Sequence, residues 1–230
     1  MRVKGIVSEI KYSTLADIGT DHGYIAITAA NLKNMKKIIA TDINSGPLNN
    51  CRANINKFNL GGLIETRLGP GLSKISLNEV ESIVIAGMGG NLIIDILRSG
   101  AEIAKSCKQL ILSPQSNVYG VRKLIYEIGF TIENEKIVLE GGIWYNIISA
   151  VNEPGRPYSE MEFYFGKILM EGNLPLLLAN ATKKLDRLYC LKSKILNNAK
   201  IIDENKINSL NYEMDILKNF IEAKGPNDGN

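Results

Sequence analysis

Eight consecutive residues, Asp17-Ile18-Gly19-Thr20-Asp21-His22-Gly23-Tyr24, gather two carboxylates, a hydroxyl, two glycines and the chain's one histidine. Gly19 permits a sharp backbone turn and leaves room for a ligand, and Gly23 permits a following helix to pack closely. The spacing is not the Gly-x-Gly-x-x-Gly of a dinucleotide fingerprint. Asp21 also stands where a pyrophosphate would need backbone N–H groups and no negative charge. The turn therefore suits a cationic, phosphate-free ligand, with Asp17, Gly19, Thr20, Asp21 and His22 as contacts. His22 can be read as a general base or as a residue that only shapes the turn.

Other turns add to this one. Thr41-Asp42-Ile43-Asn44 sets an acid about 20 residues further on, where a carboxylate accepts hydrogen bonds from both hydroxyls of a ribose. The other reading of Asp42 is a helix N-terminal cap. Leu68-Gly69-Pro70-Gly71-Leu72 is placed to flank an adenine ring, and Ala86-Gly87-Met88-Gly89-Gly90 holds three glycines where two would make a plain strand-to-helix turn. Such glycines let backbone approach a ligand and its reaction partner closely. Ser113-Pro114-Gln115-Ser116-Asn117 carries two amides that can hydrogen-bond a base edge or serve turn chemistry. S-adenosylmethionine, which bears a sulfonium and an ammonium group and no phosphate, meets these requirements. Its contacts would then include Ile43, Gly69, Pro70, Ala86, Gly87 and Met88. Asp21 with Gly87, Met88 and Gly89 would face the reacting atoms, and Gly90, Gln115 and Asn117 the substrate.

These turns need elements to carry them. Short apolar runs at Thr14–Ile18, Lys37–Thr41, Ile64–Leu68, Ser82–Ala86 and Gln109–Leu112 read as strands. Helical segments alternate with them at Gly23–Leu32, Ser45–Phe58, Asn91–Arg98 and Val118–Ile128. Alternating units of this kind predict a parallel, doubly wound α/β sheet whose ligand lies beyond the carboxyl ends of the strands. Phe130–Leu139 and Ile143–Val151, joined by Glu140-Gly141-Gly142, read as an antiparallel hairpin. The prediction is a Rossmann-like methyltransferase sheet of seven strands, the last antiparallel.

Composition changes at Glu153-Pro154-Gly155-Arg156-Pro157, a linker by its turn chemistry. This divides the chain into a methyltransferase domain over 1–153 and a helical domain over 154–230. In the second, Leu174–Ala199 and Asp203–Ala223 carry apolar residues at helical spacing, among them Ile207, Leu210, Met214, Leu217 and Ile221, and predict a helical hairpin broken at Lys200–Asp203. Gly225–Asn230 reads as a frayed tail. A net charge of +3 permits a nucleic-acid partner without arguing for one. There are 16 basic against 13 acidic residues up to Val151 and 11 against 11 beyond it, so any nucleic-acid contact by the helices must use one face, for example Lys183, Lys184, Arg187, Lys192 and Lys194. The other reading of those lysines is a solvated helix surface. Three scattered cysteines and one histidine predict neither a disulfide framework nor a metal site, and no apolar run suggests a membrane span. A cytoplasmic protein is expected, as a monomer or a weak dimer.

Taken together, the strings Asp17–Tyr24, Ile85-Ala-Gly-Met-Gly-Gly90, Leu110–Asn117 followed by Arg122, and Gly142-Ile-Trp-Tyr145 resemble the bacterial tRNA (adenine-N1)-methyltransferases that act at position 22 of tRNA. The resemblance covers nearly the whole chain. It implies tRNA as partner and methylation of N1 of an adenine in the D-arm region. It also maps cofactor contacts onto Asp17, Gly19, Asp21, Asp42, Gly87 and Met88, and sets Arg122 beside the substrate. The family usually has Gly-Asp-Gly-Leu where this chain has Gly69-Pro70-Gly71-Leu72, and proline lacks both the carboxylate and the N–H. Only Met1–Ser13 precede the first strand, so the family's N-terminal helix is expected to be trimmed. The competing readings are a small-molecule methyltransferase on the same fold and a non-catalytic RNA-binding relative.

Overall fold

In the computed structural model, seven short β-branched segments line up into one sheet; the structure describes residues 2–156, 158–172, 174–198 and 203–225. The strands are β1 (Thr14–Ile18), β2 (Lys37–Asp42), β3 (Ile64–Leu68), β4 (Ser82–Ala86), β5 (Gln109–Ser113), β6 (Thr131–Glu140) and β7 (Ile143–Val151). Their order is β3-β2-β1-β4-β5-β7-β6, with β1 to β5 parallel and β7 antiparallel to both β5 and β6. The strand order reverses between β1 and β4, and this is where a doubly wound sheet opens a crevice at its carboxyl edge.

Burial explains the composition of the middle strands. β5 is buried at every position, and β4 at all but Ala86, because helices cover both faces. Gln109 is a polar residue in that interior, and four hydrogen bonds satisfy its amide. Oε1 accepts from the Lys11 N–H (3.2 Å) and the Ser82 hydroxyl (3.1 Å), while Nε2 donates to the Glu9 carbonyl (2.7 Å) and Ser149 Oγ (2.9 Å).

The helices in this part are α1 (Arg2–Ser8), α2 (Tyr24–Leu32), α3 (Ser45–Lys57), α4 (Gly90–Ser99), α5 (Ala101–Ser106) and α6 (Val118–Glu127). An N-terminal helix of 7 residues, α1, precedes β1. It buries Ile6 and Val7 in the core cluster with Leu15, Ile38 and Val84. α5 had no helical signature of its own because its 6 residues are too few to show a period.

The chain divides into two compact units, Met1–Pro157 and Tyr158–Asn230. The second holds α7 (Glu160–Phe165), α8 (Lys167–Gly172), α9 (Leu174–Asn198) and α10 (Glu204–Lys224). α7 opens on a capping box, in which the Ser159 side chain and Glu162 exchange bonds with each other's backbone. Lys184 pairs with Glu213 and Lys192 donates to Asn211 at 2.6 Å, contacts that join α9 to α10. Leu210, Met214, Leu217 and Phe220 of α10 are buried, and Phe220 stacks on Phe165 with centroids 3.7 Å apart. Of the break expected at Lys200–Asp203 and the tail expected at Gly225–Asn230, Asp203 and Gly225 cap α10, while 200–202, 226–230 and the linker's Pro157 lie outside the described residues. No described helix is long and apolar enough to cross a membrane.

Candidate active site

Backbone hydrogen bonds stitch the turns at the carboxyl edge to neighbouring strands. The N–H groups of Gly19 and Thr20 both donate to the Thr41 carbonyl (2.8 Å each), the Gly69 N–H to Asp42 (2.9 Å) and the Gly87 N–H to Ser113 (3.3 Å). These bonds fix the turns around a cleft of about 480 Å³, a size that suits a small-molecule ligand. Asp17, Gly19, Thr20 and Asp21 line one side, and Ala86, Gly87, Met88 and Gln115 the other.

Gly19 has φ +73°, and a Cβ placed on it would run into Met88 Cε. The turn thus requires glycine twice, for its backbone conformation and for the approach of the β4 loop. Gly23 shares that φ, and a Cβ there would lie 2.8 Å from Cys51 Sγ, so it seats α2 against α3. Asp17 is buried and accepts a hydrogen bond from Thr20 Oγ1 at 2.8 Å. Burial pushes its carboxyl up to about 6, with the Asp42 charge adding to the rise and bonds from Thr20 and the Ala26 N–H opposing it. A buried carboxyl at a cleft wall, raised in pKa by desolvation, fits a cationic group brought beside it.

Asp21 is exposed, with His22 Nε2 3.4 Å from its Oδ1. His22 does not line the cleft. Its φ is +57°, its ring stacks on Tyr24 at 5.5 Å, and its carbonyl accepts from Asn54 Nδ2 at 2.9 Å. This is the arrangement of a residue that shapes the turn.

On the other flank, Asp42 Oδ1 accepts from the Asn44 N–H (2.7 Å), while its Oδ2 has no partner among the described residues. Asp42 is paired with Leu68 across β2 and β3. Leu68 and Ile43 are both exposed, which leaves an apolar surface beside a free carboxylate oxygen. Neither Asp42 nor Ile43 lines the central cleft; they continue the same sheet edge. Gly69 is buried beneath the Lys74 side chain, and Pro70 is exposed.

Four expectations on the substrate side resolve differently. Gln115 lines the cleft, and its N–H donates to the Met88 carbonyl at 2.9 Å. Gly90 does not line it. Its N–H donates to the Ser116 carbonyl at 3.1 Å, and a Cβ would collide with the backbone of Ser116 and Asn117, so it joins two turns by close approach. Asn117 caps α6, accepting from the Gly120 N–H (3.0 Å) and donating to Asn91 Oδ1 (2.6 Å). Arg122 corrects the reading drawn from resemblance. Only 2% exposed, it donates to Glu135 Oε1 through Nη2 (2.6 Å) and Nε (3.0 Å) and does not line the cleft, so in this structure its guanidinium is bonded in the interior. Gly89 precedes α4 and accepts from the Ile93 N–H (3.2 Å) without lining the cleft.

Sequence reading missed Arg2, Val3, Tyr24 and Ile25 as lining residues. Tyr24 and Ile25 follow the Asp17 turn directly and could have been found from it. Arg2 and Val3 had no local signal, because only tertiary packing brings α1 to the cleft. Arg2 is the only cation among the described lining residues; its guanidinium lies 4.8 Å from the Tyr145 ring centroid. No group of three or more metal-binding side chains occurs among the described residues.

The methyltransferase-domain family model matches residues 1–148. The tRNA (adenine(22)-N(1))-methyltransferase of Bacillus subtilis is 28% identical over 217 residues, 91% of each chain. The crystal structure of the B. subtilis M1A22 tRNA methyltransferase TrmK superposes with a TM-score of 0.84 at 28% identity, covering 96% of this chain and 97% of that one. The structure of M. capricolum TrmK with the cofactor product S-adenosyl-homocysteine does so with a TM-score of 0.84 at 25% identity, covering 97% and 98%. Matched by the family model over more than half its length, and similar to these enzymes from end to end, the chain belongs to the methyltransferase-domain family.

Proposed function

We propose that this protein methylates N1 of the adenine at position 22 of tRNA, using S-adenosylmethionine. The observation that carries the reading is the cleft itself: a buried Asp17 faces a glycine turn closed by Met88, with a ribose-type acid at the next strand end. Asp17 and Asp21 receive the ammonium and sulfonium end, and Arg2 offers the carboxylate a counter-charge. Asp42 Oδ2 accepts from the ribose hydroxyls, while Ile43 and Leu68 cover the adenine. The similarity to the B. subtilis and M. capricolum enzymes supports the substrate.

The bound cofactor supplies an electrophilic methyl group on sulfur. Adenine N1 carries a lone pair, so the protein need not remove a proton before attack, and positioning is its main contribution. The β4 turn also offers a dipole for the positive charge left on the methylated base. Of its carbonyls, that of Met88 accepts from Gln115 and that of Gly89 from Ile93, whereas Gly87 has no such bond among the described residues. The Gly87 carbonyl is therefore the available acceptor. The decisive assay is methyl transfer to unmodified tRNA with primer-extension stops mapped. A stop at adenine 22 is expected; transfer to a small molecule and not to tRNA would overturn the reading.

Two further results are expected. Gly19→Val forces a branched residue into a left-handed backbone and fills the cleft beside Met88, so calorimetry should detect no S-adenosylmethionine binding to a folded protein. Cofactor affinity should also depend on pH through Asp17. Its raised value means the ligand-free fold holds a proton there and loses stability as pH rises from about 4 to 6. A bound cation expels that proton, so affinity should rise about tenfold from pH 5 to pH 7 and then level off. A flat profile in Asp17→Asn is the control.

A further inference from the structure

The β6–β7 hairpin reaches further than the sheet needs. β7 pairs with β5 only from Ile148 to Val151, opposite Leu112 to Gln109. Because the two strands are antiparallel, Ile143–Asn146 and their partners on β6 run on past the carboxyl end of β5, the edge where the cleft opens. The overhang is tied to the cleft. Glu140 Oε1 accepts from the Arg2 N–H at 3.0 Å, and the Arg2 guanidinium, which lines the cleft, lies over Tyr145.

Alternation assigns the two faces. Val138 and Tyr145 are paired across the hairpin on the face that meets α1, since Val138 and Ile147 both lie against Gly5. Leu139 and Trp144 are the next pair and so project to the opposite face. The tight turn at Gly141 and Gly142, both at positive φ, needs no apolar neighbours. Yet the tip exposes Leu139 (45%) and Trp144 (44%), paired on that opposite face, and Ile143 (57%) on the first. A paired apolar patch on a hairpin that overhangs the edge where the cleft opens marks a contact surface.

We infer that the hairpin tip is a base-stacking element for tRNA, with Trp144 taking an unpaired base next to the target adenine; this rests on the tRNA reading above. Methylation at N1 needs the Watson–Crick edge free, so the target base must leave its pairing, and its neighbours lose a stacking partner. An exposed aromatic ring on the overhanging hairpin replaces that partner without reading sequence.

Trp144 is the chain's only tryptophan, so its fluorescence reports the contact directly. Titration of the full chain with unmodified tRNA should quench it, while an RNA duplex without unpaired bases should leave it unchanged. Trp144→Ala should raise KM for tRNA about tenfold with the loss falling on KM and not on kcat, and Trp144→Phe should recover most of it. Unchanged emission at saturating tRNA, equal quenching by the duplex, or an unchanged KM in Trp144→Ala would each overturn the inference. If the parent methylates tRNA while any of these holds, the stacking role fails alone. A parent that leaves tRNA unmethylated sinks the functional reading instead, and the titration still decides whether Trp144 meets RNA.

Discussion

Asp42→Ala should weaken S-adenosylmethionine binding about 100-fold while leaving the fold nearly as stable as the parent. Two hydrogen bonds to an ionised acceptor contribute roughly 1.5–3 kcal/mol each, and water recovers part of the loss, so about 3 kcal/mol is the expected net effect. The structural duty of Asp42 is smaller. Its Oδ1 takes one N–H, from Asn44, at an exposed strand end. Losing a bond of that kind costs about 1 kcal/mol, a shift of a few degrees in Tm for a chain of this size. Asp42→Asn keeps an acceptor for Asn44 and one for the ribose, so it should fall between the two, near tenfold. S-adenosyl-homocysteine shares the ribose and should weaken in parallel, whereas kcat at saturating cofactor should hardly move. Calorimetry with both ligands checks this. Parent-like affinity in Asp42→Ala would leave Asp42 as a turn-forming residue only.

How much of this could be read from residues alone follows the range over which each signal acts. The strands were legible because burial on both faces demands uninterrupted apolar runs, as at Ser82–Ala86 and Gln109–Ser113. The cleft turns were legible because Gly19 and Gly87 adopt positive φ, a local demand that glycine meets. Short helices escaped notice, since α1 and α5 have too few residues for periodicity and form because the sheet offers them a surface. Asn117 and Gly90 occupy the right edge, but their hydrogen bonds and close approach are spent joining turns. Arg2 shows the opposite failure. Nothing around it hints at a ligand, and only the packing of α1 brings it over the β4 turn.

Arg122 is the sharpest case, and its test has the largest expected effect on stability. The side chains of Arg122 and Glu135 are 3% and 1% exposed, with Nη2 2.6 Å from Oε1. Burial raises the Glu135 carboxyl and the guanidinium charge opposes that rise. Oε2 of Glu135 already makes no hydrogen bond among the described residues, so the carboxylate depends on its arginine. Arg122→Met should therefore cost about 3–5 kcal/mol, the penalty for stranding a buried charge. The deficit should have a definite pH dependence. Without Arg122 the folded pKa of Glu135 rises further above its unfolded value, so stability is present at low pH and lost as pH rises above the unfolded value. Denaturant melts at pH 5 and pH 8 should show the variant worse at pH 8. Removing both partners reverses most of the damage, because a well-packed apolar pair can replace a buried ion pair at little cost. Arg122→Met/Glu135→Leu should melt close to the parent and bind tRNA with an unchanged KM. A stable Arg122→Met with a raised KM for tRNA would return the arginine to the substrate, where resemblance had set it.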